Sequence, residues 1–190
     1  MRYFAGLLAV VAFIVLVVLI VTHNGSKPAT TKTANGTKII KLVDYIDKNS
    51  EVHLYMDGPI NASETHRAAE IIVTPTSRTM TVYQGYNLDI LRRKTYSNDQ
   101  AAYDNFLHAL NLLNFIKSRT GVKQTDERGV CSAGDRFIYE LREDGKDVTR
   151  LWSTSCGNQG TFGGDPSRTR TLFQKQIPDY NALVLNVNLL

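Results

Sequence analysis

Few residues in this sequence have both the type and the spacing that catalysis or metal binding requires. The four histidines are isolated from one another: His23, His53, His66 and His108. None has a metal-ligand spacing such as H-x-x-x-H, so we interpret them as structural residues and expect no metal site and no cofactor. No G-x-S-x-G motif, the mark of a hydrolase nucleophile, surrounds Ser153 or Ser155.

The chain contains two cysteines, Cys131 and Cys156. Cys156 could act as a thiol nucleophile with His66 or His108 as its base. A disulfide bond is the better interpretation, because a predicted β-hairpin brings the two cysteines together. Such bonds persist in oxidising compartments, which indicates that the domain lies outside the cytoplasm.

The predicted hairpin consists of two strand-like runs, 136–141 and 148–153, on either side of Asp144-Gly145. Asp-Gly is the signature of a type I′ turn, in which both central residues need positive φ. With these two residues as the loop, Phe137 pairs with Trp152. The cysteines then lie just beyond the open end of the hairpin, close enough to this register for a bond between them.

A glycine-rich loop follows the hairpin and is the candidate binding site. Its key residues are Gly160, Phe162, Gly163 and Gly164. A helix predicted to begin at Asp165-Pro166 and to continue to about residue 176 would suit an anion at its N-terminus, but the carboxylate of Asp165 would repel phosphate. We therefore interpret the loop as a structural turn. We expect Phe162 to be exposed on it, and an exposed aromatic ring on a rigid scaffold suits recognition.

The remaining elements predict an α+β domain. Helical periodicity covers 39–46, and alternation at period two around 52–56, 69–73 and 80–82, with 88–96 as the candidate fourth strand, predicts an antiparallel meander. One main packing helix follows, with Ser97 as its N-cap and an apolar stripe that ends before Gly121. Alternation over 183–189 predicts a closing strand. The expected fold is an antiparallel sheet with this helix and a disulfide-bracketed β-hairpin, preceded by a transmembrane helix.

The predicted transmembrane helix rests on residues 4–21, which contain only Phe, Ala, Gly, Leu, Val and Ile. At a rise of about 1.5 Å per residue this run nearly crosses a hydrocarbon core of about 30 Å. We predict a membrane anchor over 1–22, a flexible linker over 23–37 and an extracytoplasmic domain over 38–190. A cleaved signal peptide is the alternative, but the run is long for one and no A-x-A site follows it.

The formal net charge of +4 does not indicate a nucleic-acid-binding protein. Arg2, Lys27 and Lys32 precede the domain, whereas all 18 acidic residues lie within it. The excess charge therefore lies beside the predicted anchor, where it would meet anionic headgroups. The basic cluster 92–94 is interpreted as a solvated strand end. The expected partners are the lipid bilayer and another envelope protein, and no nucleic acid.

The segments 126–131, 136–141, 152–157 and 160–163 resemble a group of uncharacterised bacterial envelope proteins with a short N-terminal anchor and a Cys-bracketed hairpin. The resemblance implies a single-pass cell-membrane protein and assigns no catalytic residue. We expect a non-catalytic binding or envelope-structural module. The alternatives are an extracytoplasmic hydrolase whose site forms only in three dimensions, and a pilin-like subunit.

Overall fold

The computed structural model describes residues 40–157, 159–185 and 187. The predicted anchor and linker, residues 1–37, lie outside the described residues. Among the described helices, none is long and apolar enough to cross a membrane. The described chain forms one antiparallel sheet with several helices and a disulfide bond, which confirms the predicted α+β class for this part of the protein.

The sheet contains six strands. In chain order they are β1 (Ser50–Asp57), β2 (Arg67–Val73), β3 (Ser77–Gln84), β4 (Asp89–Ser97), β5 (Arg136–Glu143) and β6 (Lys146–Thr154). Their spatial order is β4-β3-β2-β1-β5-β6, and every neighbouring pair is antiparallel. The predicted meander is therefore confirmed, and the hairpin joins it through β5 at the free side of β1.

Four helical segments accompany the sheet in the described chain. They are a 3-10 helix (Leu42–Tyr45), α1 (Gln100–Leu112), α2 (Pro166–Gln174) and α3 (Tyr180–Val184). The helix predicted over 39–46 is thus a single 3-10 turn in its described part. Helix α2 begins as predicted, because the Asp165 side chain accepts a hydrogen bond from Arg168 N at 3.0 Å.

Both ends of α1 differ from the prediction. The N-cap is Asp99, whose Oδ1 accepts a hydrogen bond from Ala102 N at 2.8 Å, because Ser97 is still extended as the last residue of β4. At the other end Asn114 adopts a left-handed conformation with φ 58°, and Phe115 N donates to the Leu110 carbonyl at 3.2 Å. This Schellman-type ending stops the helix well before Gly121.

The closing strand predicted over 183–189 is wrong for the described residues. Residues 180–184 form α3, and the centre of the sheet is occupied by β1 and β2. The carbonyl oxygens of Leu183 and Leu185 accept hydrogen bonds from Arg92 Nη1 at 2.7 and 2.9 Å. A side chain of β4 therefore satisfies the backbone groups that a strand ladder would have used.

The hydrophobic core lies between α1 and one face of the sheet. Strand β1 supplies Val52, Leu54 and Met56, each at most 3% exposed, as the alternation predicts. Helix α1 supplies four side chains from its apolar stripe: Tyr103, Phe106, Leu107 and Leu110. Each such side chain contributes about 1.5–3 kcal/mol when fully buried. The side chains that alternate with these three on β1 lie on the opposite face of the sheet.

The β5–β6 hairpin has the predicted turn but a different register. Asp144 and Gly145 have φ values of 51° and 72°, as a type I′ turn requires. A β-bulge between Leu141 and Arg142 then shifts the pairing by one residue, so Ile138 rather than Phe137 lies opposite Trp152. The shift follows from the extra residue that a bulge inserts into one strand.

Candidate functional site

An irregular loop covers the outer edge of β6. Phe162 N donates a hydrogen bond to the Trp152 carbonyl at 2.9 Å, and Trp152 N donates to Thr161 Oγ1 at 3.1 Å. On its other side the loop pairs with the segment after α1, because Arg119 N donates to the Thr161 carbonyl and Gly163 N to the Lys117 carbonyl, each at 2.7 Å. The glycine-rich loop, and beyond it the segment after α1, thereby cover the edge of the sheet and prevent another strand from pairing with β6 there.

Close packing explains the glycines of the candidate binding loop. Gly160 has φ 111°, and a Cβ built there would lie 2.1 Å from the Trp152 carbonyl oxygen. A Cβ on Gly163 would lie 2.9 Å from the Lys117 carbonyl oxygen, and one on Gly164 would lie 2.5 Å from the carbonyl oxygen of Leu113. The glycines let the loop approach neighbouring backbone directly.

Phe162 is not exposed, so the expectation that it forms a recognition surface with its ring is wrong in that respect. Its side chain is 0% exposed. The ring stacks on Tyr139 with centroids 4.0 Å apart and meets Phe115 edge-on at 6.4 Å. The hydrogen bonds that place the loop along β6 turn this ring inward, which local sequence composition could not reveal. Phe162 is a core residue.

Cys131 and Cys156 form the predicted disulfide bond, with their Cα atoms 5.6 Å apart. The bond ties the segment before β5 to the end of β6. Gly134 packs against both sulfur atoms, where a Cβ would lie 2.7 Å from Cys131 Sγ. Because both sulfur atoms are bonded, neither cysteine provides a thiol nucleophile in this structure.

A cavity of about 360 Å³ lies beside the glycine-rich loop. Its volume falls within the range of small-molecule sites, about 300–1,000 Å³. The lining residues come from the segment after α1, from β6 and from the glycine-rich loop: Arg119, Val122, Lys123, Gln124, Val130, Trp152, Gln159 and Gly160. Of the candidate binding loop, only Gly160 reaches this cavity.

The chemistry of the lining is that of a site for an anion with an apolar part. It contains two cationic side chains and two amides, and no lining residue carries a carboxylate. Arg119 Nη2 donates to the Phe162 carbonyl at 3.4 Å, which holds the guanidinium at the cavity wall. Lys123 is exposed to solvent. Val122, Val130 and Trp152, the last only 1% exposed, are the apolar residues of the lining.

Two contacts anchor the outer wall of the cavity to β6. Trp152 Nε1 donates a hydrogen bond to the Thr125 carbonyl at 3.0 Å. Glu127 accepts two hydrogen bonds from Arg150, at 2.5 and 3.0 Å, in a bidentate pair. Hydrogen bonding from Arg150 holds the pKa of Glu127 below its usual value. The Arg128 side chain likewise lowers the pKa of the neighbouring Asp126 to about 2.

A second polar cluster, on the open face of the sheet, is centred on His53. The imidazole is 2% exposed, with Nδ1 3.1 Å from Glu70 Oε1 and Nε2 3.1 Å from Glu51 Oε1, although the latter contact lacks hydrogen-bond geometry. Tyr83 donates to Glu70 Oε2 at 3.1 Å. Burial raises the pKa of Glu70, but hydrogen bonds from His53 and Tyr83 outweigh it and leave that pKa below its usual value.

A third polar cluster links the loop between β1 and β2 to the start of β5. His66 is 1% exposed, and its Nε2 lies 3.0 Å from Asp57 Oδ1 while Nδ1 lies 3.1 Å from the Pro59 carbonyl. Arg136 pairs with the other oxygen of Asp57 at 2.7 Å. The ring of His66 also stacks on Tyr86 at 4.2 Å. These contacts tie the ends of β1 and β5 together beneath the loop.

The two histidine clusters do not align a nucleophile. Among the described residues, the hydrogen bonds and ion pairs of His53 and His66 go to carboxylates and to one backbone carbonyl. His108 lies apart from both, exposed on α1. The alternation of β1 already contained part of this pattern, because Glu51, His53 and Asp57 lie on the face opposite the apolar residues. The partners on other strands required the tertiary structure.

Comparison with known proteins leaves the function to be argued from this geometry. No family model matches the chain, and a search of curated proteins found no similar sequence.

Proposed function

We propose that the protein is a membrane-anchored, extracytoplasmic binding module that takes a small organic anion in the cavity beside β6. The observation that carries the proposal is the lining of this cavity, in which Arg119 and Lys123 border a space of about 360 Å³ and no lining residue carries a carboxylate. Trp152 and two valines line the same space. A carboxylate attached to an aromatic or aliphatic group would satisfy both features.

The composition of the cavity favours binding over hydrolysis. A hydrolytic site would need a nucleophile, a base and an orienting group within hydrogen-bond reach of one another. The described lining contains amides, cations and apolar groups but no histidine, serine, threonine or cysteine. The groups present can hold and orient an anion, whereas none of them is placed to activate a hydroxyl or a water molecule.

The single tryptophan makes this proposal directly measurable. Trp152 is the one tryptophan of the chain and lines the cavity, so its fluorescence reports on occupancy. The purified full-length protein would be titrated with N-acetylphenylalanine and, in parallel, with its neutral amide. We expect the carboxylate to change the emission saturably and the amide to bind more weakly, because only the carboxylate pairs with the cations.

A matched pair of variants locates the effect. Lys123→Gln should weaken binding of the carboxylate by about two- to fivefold, which corresponds to roughly 0.4–1 kcal/mol for an exposed charge pair. Lys146→Gln removes an exposed cation of the β5–β6 turn, outside the cavity, and should leave binding unchanged. Equal responses to the carboxylate and the amide, or equal losses in the two variants, would contradict an anion site in this cavity.

The location of the module rests on the apolar run 4–21 and on the disulfide bond. An anchored protein stays with membranes after an alkaline carbonate wash, because an integral helix is not displaced by high pH. An external protease should then digest residues 38–190 in intact spheroplasts. Protection of this domain until the membrane is permeabilised would place it in the cytoplasm and reject this part of the proposal.

A further inference from the structure

Exposed apolar side chains are concentrated at one end of the sheet. Of the eight large hydrophobic residues that are exposed in the described chain, five lie on the β3–β4 turn, the start of β4 and the adjacent loop: Ile60, Tyr86, Leu88, Ile90 and Leu91. Their side chains are between 44% and 53% exposed. The Tyr86 hydroxyl donates to the Asn61 carbonyl at 2.8 Å and so joins the loop to the turn. We call these five residues the β4 surface.

The backbone of the β4 surface holds its side chains outward. Leu88 has φ 58°, a left-handed conformation that is unusual for a residue of its size. The pairing of β3 with β4 shifts between Val82 and Tyr83, so that Ile90 and Arg92 are paired while Leu91 is not. Such bulges, together with cationic side chains, disfavour the addition of a further strand to a sheet edge. A β-strand of another protein is therefore a poor occupant of this surface.

The β3–β4 hairpin carries a net positive charge, although the domain as a whole does not. Residues 40–190 contain 18 cationic and 18 acidic residues, so this part of the chain is formally neutral. Within 77–97, by contrast, there are four cationic residues and one acidic residue: Arg78, Arg92, Arg93, Lys94 and Asp89. The hairpin thus combines a net positive charge with the largest group of exposed apolar side chains.

Most of this charge is not neutralised by carboxylates. Arg92 donates to backbone carbonyls of the C-terminal segment, Arg93 Nε donates to Thr81 Oγ1 at 3.1 Å, and Arg78 donates to the Ser97 carbonyl. Among the ion pairs of the described residues, Lys94 is the member of this group that pairs with an acid, Asp179. The three arginines keep their charge available to an external anion; Arg92 and Arg93 follow Leu91 in β4, whereas Arg78 lies at the other end of the hairpin.

We propose that the β4 surface docks on the headgroup region of an anionic lipid bilayer. Aliphatic and tyrosine side chains beside arginines match such an interface, because the apolar groups enter the boundary of the acyl chains while the cations meet lipid phosphates. The predicted anchor at 1–22 and linker at 23–37 would keep the domain close to that surface. This docking is independent of ligand binding in the cavity beside β6.

The test measures the distance from two chosen positions to the bilayer. Full-length protein would be reconstituted into phosphatidylcholine vesicles with or without phosphatidylglycerol, and a fluorophore would be attached to Ile90→Cys or, as control, to Leu112→Cys. Leu112 is 82% exposed on α1 and lies outside the β4 surface. Doxyl-labelled lipid quenches fluorophores at the acyl boundary. We expect quenching at position 90 to exceed that at position 112 by at least about twofold in the anionic vesicles.

Charge variants and folding controls complete the experiment. Arg93→Gln should reduce quenching at position 90 in vesicles with phosphatidylglycerol, whereas Lys146→Gln, at the far hairpin, should not. Thermal unfolding of each labelled protein should match that of the parent. Equal quenching at the two positions, or quenching at position 90 that is indifferent to phosphatidylglycerol and to Arg93, overturns the proposal. An unquenched position 90 that cross-links to another membrane protein overturns it in favour of a protein interface.

Discussion

Phe162→Ala removes a fully buried ring from the loop that covers β6. The ring stacks on Tyr139 and contacts Phe115, so truncation leaves a cavity among aromatic side chains that the backbone cannot close. Phenylalanine-to-alanine changes in protein cores cost about 3–5 kcal/mol. In a domain of this size each kcal/mol lowers the midpoint of thermal unfolding by about 2–4 °C, so we expect a loss of roughly 6–20 °C.

Thermal unfolding followed by circular dichroism, on the full-length protein in one detergent, measures this loss. Phe162→Leu retains much of the apolar volume and should lose less stability than Phe162→Ala. Leu112→Ala truncates a side chain that is 82% exposed and should change stability by less than about 0.5 kcal/mol. An unfolding midpoint for Phe162→Ala within about 2 °C of the parent would refute the core assignment and restore an exposed role for the ring.

Three further outcomes follow from the same region. Unreduced, denatured protein should contain no alkylatable thiol, and replacement of both Cys131 and Cys156 by alanine should cost about 3 kcal/mol in denaturant unfolding, since the bond closes a loop of 25 residues. Gly160→Ala should destabilise more than Gly157→Ala, because both positions have positive φ but a Cβ meets neighbouring backbone only at Gly160, and unfolding midpoints would compare the two directly. Hydrogen bonding from Arg150 lowers the pKa of Glu127, so the stability that this pair contributes is present above the unfolded pKa of about 4.5. That stability is lost as the pH falls through the lower pKa of the folded state. In a pH series of unfolding midpoints, Glu127→Gln should therefore lose less stability on acidification than the parent protein.

Local signals in the sequence were sufficient wherever a few neighbouring residues determine the backbone. Asp144-Gly145 predicted the hairpin turn because a type I′ turn needs two residues that tolerate positive φ. Asp165-Pro166 predicted the start of α2 because a carboxylate can cap the first N–H groups and proline loses no hydrogen bond there. Alternation in the first three strands predicted the buried face of the meander.

Prediction was less accurate where two local signals competed. Ser97 was predicted as the N-cap of α1, but it is the last residue of β4 and pairs with Ser77 of β3, so Asp99 caps the helix instead. The alternating residues near the C-terminus suggested a strand, but Arg92 of β4 takes the carbonyls of Leu183 and Leu185. In both places a partner far away in the sequence selected between conformations of similar local propensity.

The sequence by itself determined the order of elements from β1 to α2, the hairpin turn and the pairing of its two cysteines, because these depend on residue period, turn chemistry and short separations. The tertiary structure alone decided that Phe162 is buried, that Gly160 lies against β6, and that Arg119 and Lys123 share one cavity. Whether a loop side chain faces solvent or core is set by the surfaces that pack against it. Those surfaces belong to strands and loops that are distant in the chain, so the local sequence pattern does not show that they pack there.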